Sequence, residues 1–234
     1  MKLNEIADTE EKKNKKLISA LKKWLMERWN DSSGYKASRV RSYKFSIEDG
    51  EAVIDAEVNG IKDHISIKTD KLDLPVKIKK IIGNFQVIGA KSLENSPRII
   101  TQTFSVHNSD ITSLEGCPED VGAFNVGFCP KLEKIDALPK NVGHTISITS
   151  CGIKTLRGLN EVMDPSLYVQ LQLDTNPVKE GILSLCFIPK KTILILSSFG
   201  ISDPDYTKAM EIMKKHVGQG RPGLIDAQQE LMDA

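Results

Sequence analysis

Ile146-Ser147-Ile148-Thr149-Ser150-Cys151-Gly152-Ile153 and Leu171-Gln172-Leu173-Asp174-Thr175-Asn176-Pro177-Val178 share one plan. Two apolar residues stand two places apart, a small polar residue follows three places later, and another apolar residue lies two beyond that. This is the L-x-L-x-x-N/C-x-L core of a leucine-rich coil, matched at every fixed position. Upstream, the apolar pair recurs at Ile65/Ile67, Phe85/Val87, Phe104/Val106 and Phe124/Val126, so that successive steps are 20, 19, 20, 22 and 25 residues. Steps of that size are single coils. A second series fixes the register independently: Leu93, Leu114, Ile135 and Leu156 are 21 apart, as are Ile111, Leu132 and Ile153. The pattern predicts an α/β repeat, a short leucine-rich-repeat-like solenoid with parallel strands over residues 61–178.

The small polar position holds Asp70, Ala90, Ser109, Cys129, Cys151 and Asn176 in successive coils. There a short donor or acceptor can point inward and bond backbone groups that the turn leaves unpaired. Ala90 has no such atom, so its coil is expected to be irregular or to use water. The Pro-x-x-x-Gly runs Pro118 to Gly122 and Pro139 to Gly143 are read as return turns, extended or 3₁₀ rather than α-helical.

A repeat array needs sealed ends, because its first and last coils would otherwise leave an apolar edge and unpaired strand groups in water. Residues 1–60 are expected to be the N-terminal cap. Asp8-Thr9-Glu10-Glu11 has capping-box form, and Leu17, Leu21, Trp24, Leu25 and Trp29 recur at helical spacing, giving a helix from about Thr9 to Trp29. From Arg41 the period becomes two, through Tyr43, Phe45, Ile47, Val53, Ala56 and Val58, with Asp49-Gly50 and Asn59-Gly60 as turns, which predicts a small antiparallel β unit. Residues 179–234 are expected to be the C-terminal cap: one or two helical turns over 179–187, a last strand from Ile193 to Leu196, a helix starting at Ser202-Asp203-Pro204 and ending at Gly218, and another from about Leu224 to Met232.

Composition narrows the function. The chain is 40% hydrophobic and 27% charged, as in folded soluble proteins. A net charge of +1 argues against a whole surface built for nucleic acid. Residues 1–45, however, carry twelve Lys and Arg against six Asp and Glu. Any anionic partner would therefore meet the lysines at 12, 13, 15, 16, 22 and 23, although such runs are also ordinary solvated helix surface. Cys117, Cys129, Cys151 and Cys186 form no C-x-x-C pair, so neither zinc nor redox chemistry is indicated. Two of them fill the inner polar position, and reduced thiols suit a cytoplasmic protein. No stretch approaches the roughly 18 apolar residues of a membrane span, and Met1 to Ile6 lacks a signal-like apolar run.

Ser113-Leu114-Glu115-Gly116-Cys117-Pro118-Glu119-Asp120-Val121-Gly122 resembles the S-L-E-G-x-P-x-x-V-G coil of a group of poorly characterised leucine-rich-repeat-like proteins encoded by large tailed bacteriophages. The next coil keeps Leu138-Pro139 and Val142-Gly143 but not the S-L-E-G portion. Met1-Lys2-Leu3-Asn4-Glu5-Ile6 and the end from Gly218-Gln219-Gly220-Arg221 to Gln229-Glu230-Leu231 also look like the ends of those proteins. The resemblance covers most of the chain, with residues 30–60 adding little. It implies a phage origin, a setting in the bacterial cytoplasm or the virion, and a repeat-built interaction surface with no catalytic residues to carry over.

Chemistry-bearing constellations are few. Gly218-Gln219-Gly220-Arg221-Pro222-Gly223 is a literal G-x-G-x-x-G, but it follows a helix rather than a strand and Pro222 removes a backbone donor, so no cofactor is expected. His64, His107, His144 and His216 are far apart, and no H-E-x-x-H or nucleophile elbow exists. No catalytic or metal-binding residue is assigned, and the protein is read as non-enzymatic. Strand alternation instead turns Ser66/Lys68, Gln86/Ile88, Ser105/His107, Asn125/Gly127, Ser147/Thr149 and Gln172/Asp174 outward. Phe128 either joins that face or folds back into its coil. The partner-binding residues expected are Gln86, His107, Asn125, Phe128, Thr149, Gln172 and Asp174. The first reading is a protein-binding module for a host or phage protein; the rivals are a structural component of the phage particle and a nucleic-acid binder acting through the basic N-terminal helix.

Overall fold

The apolar pairs form strands, and the strands stack in register. A computed structural model describes residues 3–30, 36–164, 166, 169–178, 180–189, 192–195 and 204–232. In chain order it contains α1 (Leu3–Arg28), α2 (Lys36–Ser42), β1 (Lys44–Glu48), β2 (Glu51–Asp55), β3 (Glu57–Val58), β4 (Ile61–Lys62), β5 (His64–Lys68), β6 (Ile78–Ile82), β7 (Asn84–Ile88), β8 (Ile99–His107), β9 (Asp120–Gly127) and β10 (Asn141–Thr149). Then come α3 (Leu159–Val162), β11 (Gln170–Gln172), a 3₁₀ helix (Ile182–Phe187), β12 (Ile193–Ile195), α4 (Pro204–His216) and α5 (Gly220–Met232). The architecture is a parallel-strand β-solenoid of about four turns with flanking helices.

Register ties the apolar pairs together. Phe85 lies beside Phe104, Phe104 beside Phe124, Phe124 beside Ile146, Ile146 beside Leu171 and Leu171 beside Leu194, all in parallel pairing. The three phenylalanine rings are fully buried and stack with centroids 6.0 Å apart. Burying each is worth roughly 2–3 kcal/mol relative to leaving it in water. The second series, Leu93, Leu114, Ile135 and Leu156, with Ile111, Leu132, Ile153 and Val178, is buried as well and lines the return side of the core. Returns run through turns: α3 has four residues and the 3₁₀ helix six.

β8 to β10 begin earlier than the apolar pairs imply, and each carries a register shift between its two halves. Gly122 and Gly143 therefore lie inside strands at the bulge, not in the return turns expected of them. Glycine is needed there because successive backbones pass closely: a Cβ on Gly122 would stand 2.8 Å from the Gln102 carbonyl oxygen, and one on Gly143 3.0 Å from that of Gly122. At the same level β6 and β7 are one strand interrupted at Gly83, and the coil before it is β2 and β5 separated by the small β3–β4 hairpin. Side chains mend the broken ladder. Thr101 Oγ1 accepts from the Gly83 N–H at 3.1 Å, and Asn84 Oδ1 from the Thr103 N–H at 3.2 Å.

The inner polar position is a hydrogen-bond ladder. Ser109 Oγ accepts the Ala90 N–H at 3.1 Å and donates to the His107 carbonyl at 2.9 Å. Asn176 Oδ1 accepts the Cys151 N–H at 3.1 Å, while its Nδ2 donates to the Ile148 and Leu173 carbonyls at 2.6 and 2.9 Å. Cys129 and Cys151 donate weakly to the Gly127 and Thr149 carbonyls, each at 3.4 Å. Ala90 thus departs from expectation: its coil stays regular, because the next coil's serine satisfies its amide. Asp70 departs too, being exposed and 3.5 Å from Lys91 Nζ rather than turned inward.

The N-terminal end is sealed by more than a helix. β1 pairs antiparallel with β2, Trp29 bridges antiparallel to Ile67, and the Asn30 N–H reaches the Ser66 carbonyl at 2.9 Å. α1 starts at Leu3, so Asp8 to Glu11 lies within the helix instead of capping it. It packs with Leu21, Trp24 and Leu25, and Asp73 fixes it by accepting from Trp24 Nε1 at 3.0 Å and from Arg28 Nη2 at 3.0 and 3.1 Å. α2, absent from the sequence reading, is held where Tyr43 donates to Asp63 at 2.7 Å beside Arg39. β2 joins the parallel sheet through β6, so the sheet runs across the boundary expected between residues 60 and 61. At the other end α4 and α5 pack on the 3₁₀ helix, burying Met213 and Ala227, and the Gly218 N–H donates to the Leu185 carbonyl at 3.0 Å. α5 begins at Gly220, earlier than expected. The expected starts and ends at Ser202-Asp203 and Leu196 lie outside the described residues.

Candidate outward binding face

With Phe85, Val87 and their equivalents turned inward, the alternate residues form two outward rows. Ser66, Gln86, Ser105, Asn125, Ser147 and Gln172 occupy one row, and Lys68, Ile88, His107, Gly127, Thr149 and Asp174 the other, each neighbour one strand away. Adjacent strands are about 4.8 Å apart, so like atoms recur at that spacing. From β7 to β10 neither row carries a Lys, Arg, Asp or Glu; Lys68 and Asp174 flank the neutral stretch.

The polar side chains on these rows divide into two groups. Gln86 is engaged, its Oε1 taking the Ser66 hydroxyl at 2.8 Å and lying 3.2 Å from His64 Nε2. Ser105, Asn125, Ser147, Thr149 and Gln172 make no side-chain hydrogen bond with a described residue, although Ser105 is only 7% exposed. Burial, and to a lesser degree nearby His64, hold the His107 imidazole below the usual histidine range. The ring is therefore neutral at neutral pH. Its place is made by Gly127, whose Cβ would come within 2.8 Å of His107 Nδ1.

The rim of the face has a single backbone geometry. Gly89, Asn108, Phe128, Ser150 and Thr175 follow the strands at one aligned position, and all are left-handed, with φ of 80, 48, 55, 52 and 56°. This conformation suits glycine and is tolerated by asparagine, but it costs about 1–2 kcal/mol for most residues. Phe128 occupies it and is 58% exposed, so it does not fold back into its coil. Ser150 and Thr175 share this conformation, so the coil sets the backbone, and what distinguishes Phe128 is a large apolar side chain left exposed there.

Of the expected partner-binding residues, the structure therefore gathers Gln86, His107, Asn125, Phe128, Thr149, Gln172 and Asp174 on or beside one sheet face. Asn108 and Ser150, on either side of Phe128, were not anticipated; the exposed Asn108 follows its strand directly, and asparagine's tolerance of left-handed backbone was the available signal. A second unanticipated pattern is charge at one-coil spacing. Asp70–Lys91, Arg98–Glu119, Asp110–Lys131, Glu119–Lys140 and Glu133–Lys154 are ion pairs between residues 21 apart, readable in principle from that interval.

Other features do less. An open groove at the bulge is lined by Thr101, Gly122, Asn141 and Gly143. A second, on the return side, holds Lys131, Lys134 and Lys154, whose ammonium groups meet Asp110, Asp136 and Glu133. His144 touches Thr145 and His216 touches Glu230, so the four histidines do not converge. Burial pushes the Cys117 thiol up to about 12, leaving it a poor nucleophile. Among the described residues no group of three His, Cys, Asp or Glu is placed to hold a metal, and no helix is long and apolar enough to cross a membrane. No protein-family model, curated protein or solved structure matches this chain.

Proposed function

We propose that this chain is a non-enzymatic binding module whose working surface is the outward face of β7 to β10, with Phe128 at its rim. The observation that carries this reading is Phe128 itself, exposed and in left-handed backbone where glycine or asparagine would cost less. The free hydroxyl and amide row beside it gives a partner many hydrogen-bond positions at a fixed spacing, which is the use to which repeat arrays lend themselves. Lacking Trp, Tyr or Arg on its rows, the face suits a broad contact of modest strength. The leucine-rich-repeat-like coil pattern and the resemblance of Ser113 to Gly122 support a phage origin, and with it a partner supplied by host or phage, a protein on the sequence reading, met in the bacterial cytoplasm.

The test is affinity capture from infected cells with the wild type and with Phe128→Ala combined with Asn125→Lys. Retention of a specific partner by the wild type alone is expected. Equal retention by both overturns the assignment of the face. Stoichiometric recovery of the protein from purified virions would favour the structural reading instead.

A further inference from the structure

We propose that the ligand of this face is a neutral, linear polysaccharide, whose sugar units lie across successive strands with one ring against Phe128. The inference rests on reading the face as the working surface, and it names a ligand chemistry different from the protein expected from the sequence. Three observations favour it.

First, the face is uncharged within a chain that is 27% charged. Between β7 and β10 no Lys, Arg, Asp or Glu stands on either outward row, and the ion pairs that join neighbouring coils, such as Arg98–Glu119 and Asp110–Lys131, involve residues off those rows. A neutral face complements a neutral ligand, because a charged partner would lose hydration and gain no counter-charge.

Second, the unengaged groups are of the kind that sugar hydroxyls need. Amides donate and accept at once, and hydroxyls do the same on one atom. Asn125, Ser147, Gln172 and Ser105 are such groups, and none of them makes a side-chain hydrogen bond with a described residue. The row repeats at about 4.8 Å, close to the length of one hexose in an extended chain. Each strand can therefore address one sugar.

Third, the aromatic stands alone. Protein interfaces concentrate several Trp, Tyr and Arg anchors in a desolvated centre, and this face has none on its rows. One exposed aromatic beside a hydrogen-bonding row is instead sufficient for a pyranose ring, whose C–H face packs on the π cloud while its equatorial hydroxyls reach the polar groups. Next to Phe128, Gly127 adds no side chain of its own, and the neutral His107 ring fills the space above it.

Affinity electrophoresis of the full chain tests the proposal, with gels containing β-glucan, mannan, galactan or dextran, and with alginate as the anionic comparison. Retardation is expected in at least one neutral gel and not in alginate. It should persist at roughly 0.5 M NaCl, where ionic attractions are screened within a few ångströms. Phe128→Ala is expected to weaken it about tenfold and Asn125→Ala severalfold, the equivalents of one and a fraction of a decade in affinity. Both side chains are solvent-facing, and circular dichroism checks that both variants keep the wild-type fold; Asn125→Gln, which retains the amide, should recover part of the loss. Retardation in no neutral gel, in alginate alone, or unchanged in both variants overturns the proposal. If no glycan retards the protein but an infected-cell protein is retained through Phe128, the glycan inference fails and the binding-module reading stands; if neither is retained, both fail.

Discussion

Gly127 and His107 fit together across one strand spacing: the glycine leaves the space that the imidazole fills, and an added Cβ would lie 2.8 Å from Nδ1. Gly127 has no left-handed backbone to explain it, so the ring is the reason for the glycine. Gly127→Ala should therefore move a side chain rather than disturb the strand. We expect stability to change by less than about 1 kcal/mol, with the His107 ring displaced into solvent and its pKa rising towards the ordinary histidine range. NMR titration of the ring checks this, and an unchanged titration would mean the contact is not formed.

The same ring sets a pH dependence. Burial lowers the His107 pKa in the folded chain, with His64 adding to the effect. As pH falls below about 6.5 the unfolded chain takes up a proton that the folded chain resists, so this contribution is intact above that pH and is lost on acidification. Urea midpoints measured from roughly pH 7.5 down to roughly pH 5 should fall less steeply for His107→Gln than for the wild type. Parallel curves would contradict the burial of the ring.

The inner ladder predicts a contrast between two asparagines. Asn176 satisfies the Cys151 N–H and two carbonyls in the core, and Asn176→Ala leaves those groups buried and unpaired. A loss of about 3 kcal/mol is expected. Asn125 faces outward and makes no such bond, so Asn125→Ala should stay within about 0.5 kcal/mol of wild type. Urea denaturation separates the two, and equal losses would show that the inward and outward assignments are mistaken.

Charge rows between coils should be weak supports. Asp110–Lys131, at 2.9 Å, joins two exposed side chains, and pairs of that kind contribute roughly 0–1 kcal/mol. Lys131→Met should cost no more than that, with the cost shrinking at high salt. A larger or salt-independent loss, read from melts at two salt concentrations, would point to packing of the lysine stem instead.

How far these features were legible depends on what constrains each position. Phe85, Phe104 and Phe124 must all be apolar because each is buried against the next, and that demand repeats at one-coil intervals that a reader can count. The outward direction of Gln86, His107 and Asn125 follows from the same alternation. Gly122 and Gly143 misled, because a proline followed by glycine reads as a turn, while their actual reason is a backbone in the neighbouring coil that no local pattern reveals. Ala90 misled similarly: its amide is satisfied by Ser109, nineteen residues on. The left-handed rim at Asn108, Phe128 and Ser150 is set by coil geometry across strands, so a phenylalanine there carries no warning in its own neighbourhood.

Phe128→Gly puts the proposal for the outward face to its most direct test. Glycine relieves the left-handed backbone, so the variant is expected to be more stable than wild type by about 1 kcal/mol. It also removes the aromatic, so binding should weaken about tenfold or more, whether the retained ligand is a glycan or a protein. Undiminished binding by this variant, measured beside the wild type under the same conditions, would contradict the account.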